Sequence, residues 1–391
     1  MFKARLLLFI FGLFGTSVMA QAQTYVKVIG QPGRNEAGFV AHQAPTGELY
    51  IGGSANDSAL VQRIDPNGNV LWSRTFKPPG ASNKNVVHLT STNDGSIIGC
   101  GTGYLQGGEP VEGFHFRIDA AGAMLWLRHW DDPLIYARRM LEVNTNEYLL
   151  FGGYTDNSAP TFTDVITARI DAASGDILWL SDRLDQYATS PYQSDMAAAA
   201  RIADSFYASS SLFTDGSLVS SRRVGLSKFD ISGQHVDTQY FLYSNTADRR
   251  LVTSDIIATD DSLTLAYFGD INGSSTNFTQ GLIRMDTLGN IAWARDFNVG
   301  GSAMEQNSKV VAAPFGYVVA GRTMSTTPVR LFLMAVSVSG DLLWTKTYGA
   351  VGQEQTLDQV FASNLAFVGD GFLLTGTVDQ GGGERDLLLI R

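Results

Sequence analysis

Three features of the sequence predict an all-β fold built as a ring of short antiparallel sheets. Landmark tryptophans (Trp72, Trp126, Trp179, Trp293 and Trp344) recur every 51 to 58 residues, with Asp237 standing where another is due. A tight-turn signal precedes each landmark: Asp65-Pro66-Asn67-Gly68, Asp119, Asp171, Asp230-Ile231-Ser232-Gly233, Asp286 and Ser337-Val338-Ser339-Gly340. Between landmarks, apolar residues alternate with polar ones and no helical period is present. A repeat of this length, with about four short strands per unit, is the sequence mark of a β-propeller. Counting units gives seven four-stranded blades in one domain over residues 23–391.

The elements follow in chain order. Lys3 and Arg5 precede an apolar run from Leu6 to Gly15, which gives way to Val18-Met19-Ala20. A basic start, a short apolar core and a small-residue exit make residues 1–22 a signal peptide, so the mature chain is expected to be secreted, periplasmic or in the cell envelope. The run is about half of what a membrane-spanning helix needs. No cysteine follows it, which argues against a lipid anchor. In each unit the Asp-x-x-Gly segment reads as a hairpin, because Asp can bond the backbone two residues on and Gly supplies a positive φ. Alternation then puts Trp72, Arg74 and Phe76 on one face of the strand that follows, as it does Trp344, Lys346 and Tyr348. A large ring there supplies burial that a small twisted sheet lacks alone. The innermost strands should be rich in small residues, as in Ala197–Ala200, Val310–Ala313 and Val360–Ser363. The chain ends at Leu387–Arg391 on a third strand, and Tyr25–Gly30 matches Trp344–Gly349, a fourth strand. The N-terminal strand is therefore expected to complete the last blade and hide both sheet edges.

Composition narrows the function. A net charge of -10 opposes a nucleic-acid surface, which needs an excess of Lys and Arg. The single cysteine, Cys100, excludes an intramolecular disulfide and reads as a buried small hydrophobe in a strand interior. Gly-x-Ser-x-Gly elbows, phosphate-cradling loops and His-x-x-His pairs are lacking in the sequence.

The segments Asn93-Asp94-Gly95-Ser96-Ile97-Ile98-Gly99 and Arg284-Met285-Asp286-Thr287-Leu288-Gly289-Asn290-Ile291-Ala292-Trp293 resemble the tryptophan-bearing propeller repeats of secreted bacterial proteins. The resemblance covers the mature chain and implies the fold, with no particular activity. Quinoprotein dehydrogenases carry a similar repeat but rely on a vicinal disulfide or other cofactor clamps, and one cysteine forbids that disulfide. Sialidase boxes space Asp and Gly two apart, against three here.

In such a blade the loops joining strands 2 and 3, and those joining strand 4 to the next blade, share one face. Long loops on a rigid scaffold are where binding sits. On that face the sequence offers Asp57, Glu109, Asp156, Asp270 and Glu384 as candidate carboxylates, with Tyr187 and Tyr192 as candidate stacking rings. Converging oxygens would suit Ca²⁺ or sugar hydroxyls, although no calcium-loop motif is present and no cofactor is expected. His42 and His88 fall on neighbouring first strands and are the one histidine pair to watch, with ordinary hydrogen bonding as their default role. The expectation is a non-catalytic propeller whose polar loop face binds a protein or a glycan. The alternative is an extracellular carbohydrate-active hydrolase or lyase that uses paired loop-face carboxylates.

Overall fold

The repeat closes into seven sheets arranged as a β-propeller. The computed structural model describes residues 26–31, 33–79, 84–104, 110–130, 132, 135–156, 162–181, 194–213, 222–241, 251–270, 278–297, 308–322, 331–348, 355–356, 365–368, 371–381 and 384–391. Among these there is no helix, hence none able to cross a membrane. Blade 1 runs Glu36–Gln43, Leu49–Ala55, Ser58–Ile64 and Val70–Phe76 from the channel outward, and blades 2 to 6 repeat that antiparallel order. Their innermost strands are Asn85–Ser91, Ile135–Asn144, Ser194–Ile202, Leu251–Thr259 and Lys309–Ala313. In blade 7 the inner position is held by Gln355–Thr356 and Leu365–Val368, both paired with Gly371–Gly381. The expected inner segment Val360–Ser363 lies outside the described residues. Each inner strand abuts the next around the ring, and apolar clusters fill the spaces between neighbouring blades.

The ring closes through its termini. Val26–Ile29 pairs antiparallel with Glu384–Ile390, Val26 opposite Ile390 and Ile29 opposite Leu387. The fully buried Leu387 and Leu389 are thereby held in a sheet with no unpaired strand between the termini. Arg391 Nη1 donates to the Pro66 carbonyl (2.8 Å) and Lys27 Nζ to Asn69 Oδ1 (2.7 Å), tying blade 7 to a blade 1 turn.

The repeat motif has a double role. Asp65 Oδ1 accepts from the Asn67 and Asn69 amides at 2.9 and 2.8 Å, which holds its carboxyl below the usual range, and Asp119 and Asp286 repeat the arrangement. In blade 6 the Ser337 hydroxyl replaces the carboxylate and accepts from the Asp341 amide. Each turn then receives the preceding blade. Trp126 Nε1 and Arg117 Nη1 both donate to the Ala172 carbonyl, at 3.0 and 2.7 Å. Trp293 and Arg284 share the Val338 carbonyl, and Trp72 and Arg63 share that of Ala120. The ring lies on the turn glycine, so a Cβ on Gly175 would meet Trp126 at 2.6 Å. Blade 4, where Asp237 replaces the tryptophan, uses a substitute: Gln239 Nε2 donates to the Leu288 carbonyl (2.8 Å) and covers Gly289.

Candidate functional site

Polar groups in this protein collect inside the central channel, on the second halves of the inner strands. In the first five blades the inner strand carries a β-bulge at the same depth: between Gly38 and Val40, Val86 and His88, Ala137 and Arg139, Met196 and Ala198, and Thr253 and Asp255. A bulge re-aims the residue after it. Those residues, with Lys309 at the same register in blade 6, form one tier around the channel: Val40, His88, Arg139, Ala198, Asp255 and Lys309. Four of the six are ionisable.

Below that tier lies a cavity of about 420 Å³, lined among others by His42, His88, Thr90, Arg139, Leu141, Asp255 and Phe367. It sits toward the face that carries the tight turns. Blade 4 places only alanines, Ala198 and Ala200, on the corresponding wall, and this small volume lets Arg139 of blade 3 reach Asp255 of blade 5 at 3.8 Å. Asp255 is 1 % exposed. Its Oδ2 accepts from the Val310 amide (3.1 Å), whereas its Oδ1 accepts no hydrogen bond among the described residues. Arg139 Nε is likewise buried without an acceptor.

The two histidines are held neutral. The Ser91 amide donates to His42 Nε2 (2.9 Å), which assigns the ring proton to Nδ1. Burial, reinforced by Arg139, lowers this ring to about 4. The Met140 amide donates to His88 Nδ1 (3.3 Å), leaving Nε2 as the proton carrier, and burial with Arg139, His42 and Lys309 depresses that ring well below its ordinary value. Lys309, 1 % exposed, donates to the Ser254 carbonyl (3.3 Å). Burial lowers its ammonium to about 8, with Asp255 opposing and Arg139 and Arg138 assisting. Arg138, in the bulge itself, stacks its guanidinium 4.6 Å above the Tyr136 ring. Cys100, opposite His88 in the second strand, is fully buried, and burial raises its thiol, which makes it inert packing as expected.

The sequence-selected rim residues stand elsewhere. Asp57 is exposed in the strand 2–3 turn of blade 1, beside Asn56, which holds a φ of 51° and accepts at Oδ1 from the Asn35 amide (2.9 Å). Asp156 and Asp270 end the second strands of blades 3 and 5, and Glu384 opens the third strand of blade 7. Their backbones therefore share the long-loop face. Glu109, Tyr187 and Tyr192 lie outside the described residues. His42 and His88 do occupy neighbouring inner strands, each bonded to the next blade. Arg139, Asp255 and Lys309 were not singled out by sequence reasoning. The available signal was a charged residue within an inner strand (Arg139, Asp255) or at its start (Lys309), where small or apolar ones are the rule. Among the described residues no group of three or more His, Cys, Asp or Glu side chains is placed to hold a metal ion.

Neither a protein-family model nor a curated protein matches the chain. Solved structures do. A polysaccharide lyase described as an ulvan lyase superposes with a TM-score of 0.56 at 11 % identity, over 93 % of this chain and 96 % of that one. A catalytically inactive histidine-to-alanine variant of virginiamycin B lyase from Staphylococcus aureus, with quinupristin, gives 0.53 at 12 % identity, over 94 % and 100 %. The endosialidase of phage phi92 gives 0.51 at 12 % identity, over 94 % and 68 %. At such identities the likeness establishes a shared propeller fold and no more.

Proposed function

We propose that this protein is an exported propeller that binds a glycan at the channel cavity rather than only at its loop rim. One observation carries the reading: Asp255, an almost fully buried carboxylate among the residues lining a cavity of about 420 Å³, has one oxygen that accepts no hydrogen bond among the described residues, 3.8 Å from Arg139, whose Nε has no acceptor among them. Buried polar atoms are ordinarily paired, so an unpaired acceptor and donor beside a cavity point to a ligand site. Hydroxyl-rich ligands suit it, because each hydroxyl both donates and accepts. Export rests on residues 1–22. Titration calorimetry of the mature chain against a panel of mono- and oligosaccharides tests the reading. Binding that Asp255→Asn weakens at least tenfold supports it, and binding indifferent to Asp255 but lost on changing Asp57 and Asp270 returns the site to the rim.

A second reading, elimination chemistry, is favoured by one specific feature. Arg139 lines the cavity beside His42 and His88, a cation that would stabilise negative charge developing on a bound substrate, while the basic nitrogen of each histidine is held by the Ser91 or the Met140 amide. Two of the neighbours on this fold are lyases. A two-carboxylate hydrolase has less support, because Asp255 is the one carboxylate among the described residues lining this cavity. Appearance of an ultraviolet-absorbing unsaturated product, abolished in Arg139→Gln, is the result expected of a lyase.

A further inference from the structure

We infer that the channel site takes a chain of sugars rather than a single one, which enters by the tight-turn face and lies across Phe315, Phe372 and Phe367 on its way to Asp255. The inference rests on the glycan reading above and adds the ligand's length and its direction of entry. The first ground is an exception in the repeat. The second residue of the turn between strands 1 and 2 is Thr46, Asp94, Asn146, Asp204 and Asp261 in blades 1 to 5, and Phe315 in blade 6. Turn tips favour polar residues, which bond their own backbone and meet water. Phe315 instead leaves 39 % of its surface exposed. One exposed apolar side chain is ordinary by itself. This one is continuous with the cavity.

The second ground is that continuity. Phe367 lines the cavity, near the end of the blade 7 inner strand. Its cross-strand partner is Phe372, and the two ring centroids lie 5.2 Å apart. Phe372 in turn stands 6.4 Å from Phe315. The three rings therefore run from the cavity wall to solvent across blades 7 and 6. Neighbouring rings are inclined at 58° and 71°, so neither pair is stacked face to face. Phe372 packs against the apolar cluster between those blades, which fixes the middle ring. A pyranose carries C–H groups on its ring faces and hydroxyls around its edge, so an aromatic ring can take a face while the hydroxyls stay in water. Each step between the rings is close to the advance of one sugar along a chain. Phe315 is two such steps beyond the cavity wall, which only a ligand of several sugars reaches.

The test is calorimetric titration of the mature chain with cello-, manno- and xylo-oligosaccharides, each series running from monosaccharide to hexasaccharide. In at least one series affinity should rise about three- to tenfold between disaccharide and tetrasaccharide. Phe315→Ala should abolish that gain and leave disaccharide binding unchanged, and Phe315→Trp should retain it. Phe372→Leu, which keeps apolar bulk and removes the middle ring, should give the same loss and serves as an independent second variant. Equal affinity for short and long oligomers overturns this inference and leaves the glycan reading intact. A gain that survives Phe315→Ala and Phe372→Leu but is lost in Asp57→Ala or Asp270→Ala puts the chain on the loop face and also overturns it. A ligand-free chain that is dimeric, and becomes monomeric in Phe315→Ala, assigns the rings to a second copy and overturns it as well. Failure of every sugar to bind overturns both readings.

Discussion

Gly175→Ala and Gly95→Ala form a matched pair that isolates what the tryptophan lock contributes. Both glycines have a positive φ, +77° and +82°. Alanine therefore suffers the same left-handed backbone penalty at each, about 1–2 kcal/mol. The surroundings differ. Nothing lies within 4 Å of a Cβ on Gly95, whereas one on Gly175 falls 2.6 Å from the Trp126 ring. Trp126 is 5 % exposed and packs against Tyr148 and His115, so it has little room to retreat, and overpacking adds roughly 1–3 kcal/mol. The expected costs are about 1–2 kcal/mol for Gly95→Ala and about 2–5 kcal/mol for Gly175→Ala. Urea denaturation followed by tryptophan fluorescence measures both, and Trp126 emission should shift only in Gly175→Ala. Equal midpoints for the two variants would refute the claim that the turn glycine is a docking platform as well as a turn former.

Other perturbations give distinct readouts. His42 and His115 have rings lowered to about 4 by burial, and burial holds His88 well below its ordinary value, so below pH 6.5 the unfolded chain binds protons that the folded one refuses. Stability should fall as pH drops from 6.5 toward 4, by up to roughly 1.4 kcal/mol per pH unit per histidine; a flat urea midpoint across that window would contradict the assignment. Deleting residues 26–29 removes the strand that pairs with Glu384–Ile390, and size-exclusion chromatography should then show association through the opened edge. Gln239→Ala removes the blade 4 substitute for tryptophan and should lower the thermal midpoint, whereas Gln239→Glu, which cannot donate to the Leu288 carbonyl, should reproduce most of the loss.

Much of the architecture was legible because each blade is specified locally. The Asp carboxylate that caps a turn, the glycine with its positive φ and the two-residue alternation after the tryptophan all act over fewer than ten residues, and they recur. Terminal closure was legible for the same reason: Tyr25–Gly30 carries the pattern of a fourth strand. The channel site was not. His88, Arg139, Asp255 and Lys309 are about fifty residues or more apart, and inner-strand bulges after Val86, Ala137 and Thr253 shift the alternation that would have aligned them. The sequence directed attention to loop carboxylates, since loops commonly hold sites, and Asp57, Asp156, Asp270 and Glu384 do share one face by backbone position.

Periodicity and turn chemistry alone therefore point to seven blades and to how the ends meet, since those are short-range preferences repeated six times before the termini close the seventh blade. Which side chains face one another across the axis was decided only in three dimensions. Curvature of the ring, and the two alanines of blade 4, set an arginine from one blade against an aspartate two blades on. No local rule contains that separation.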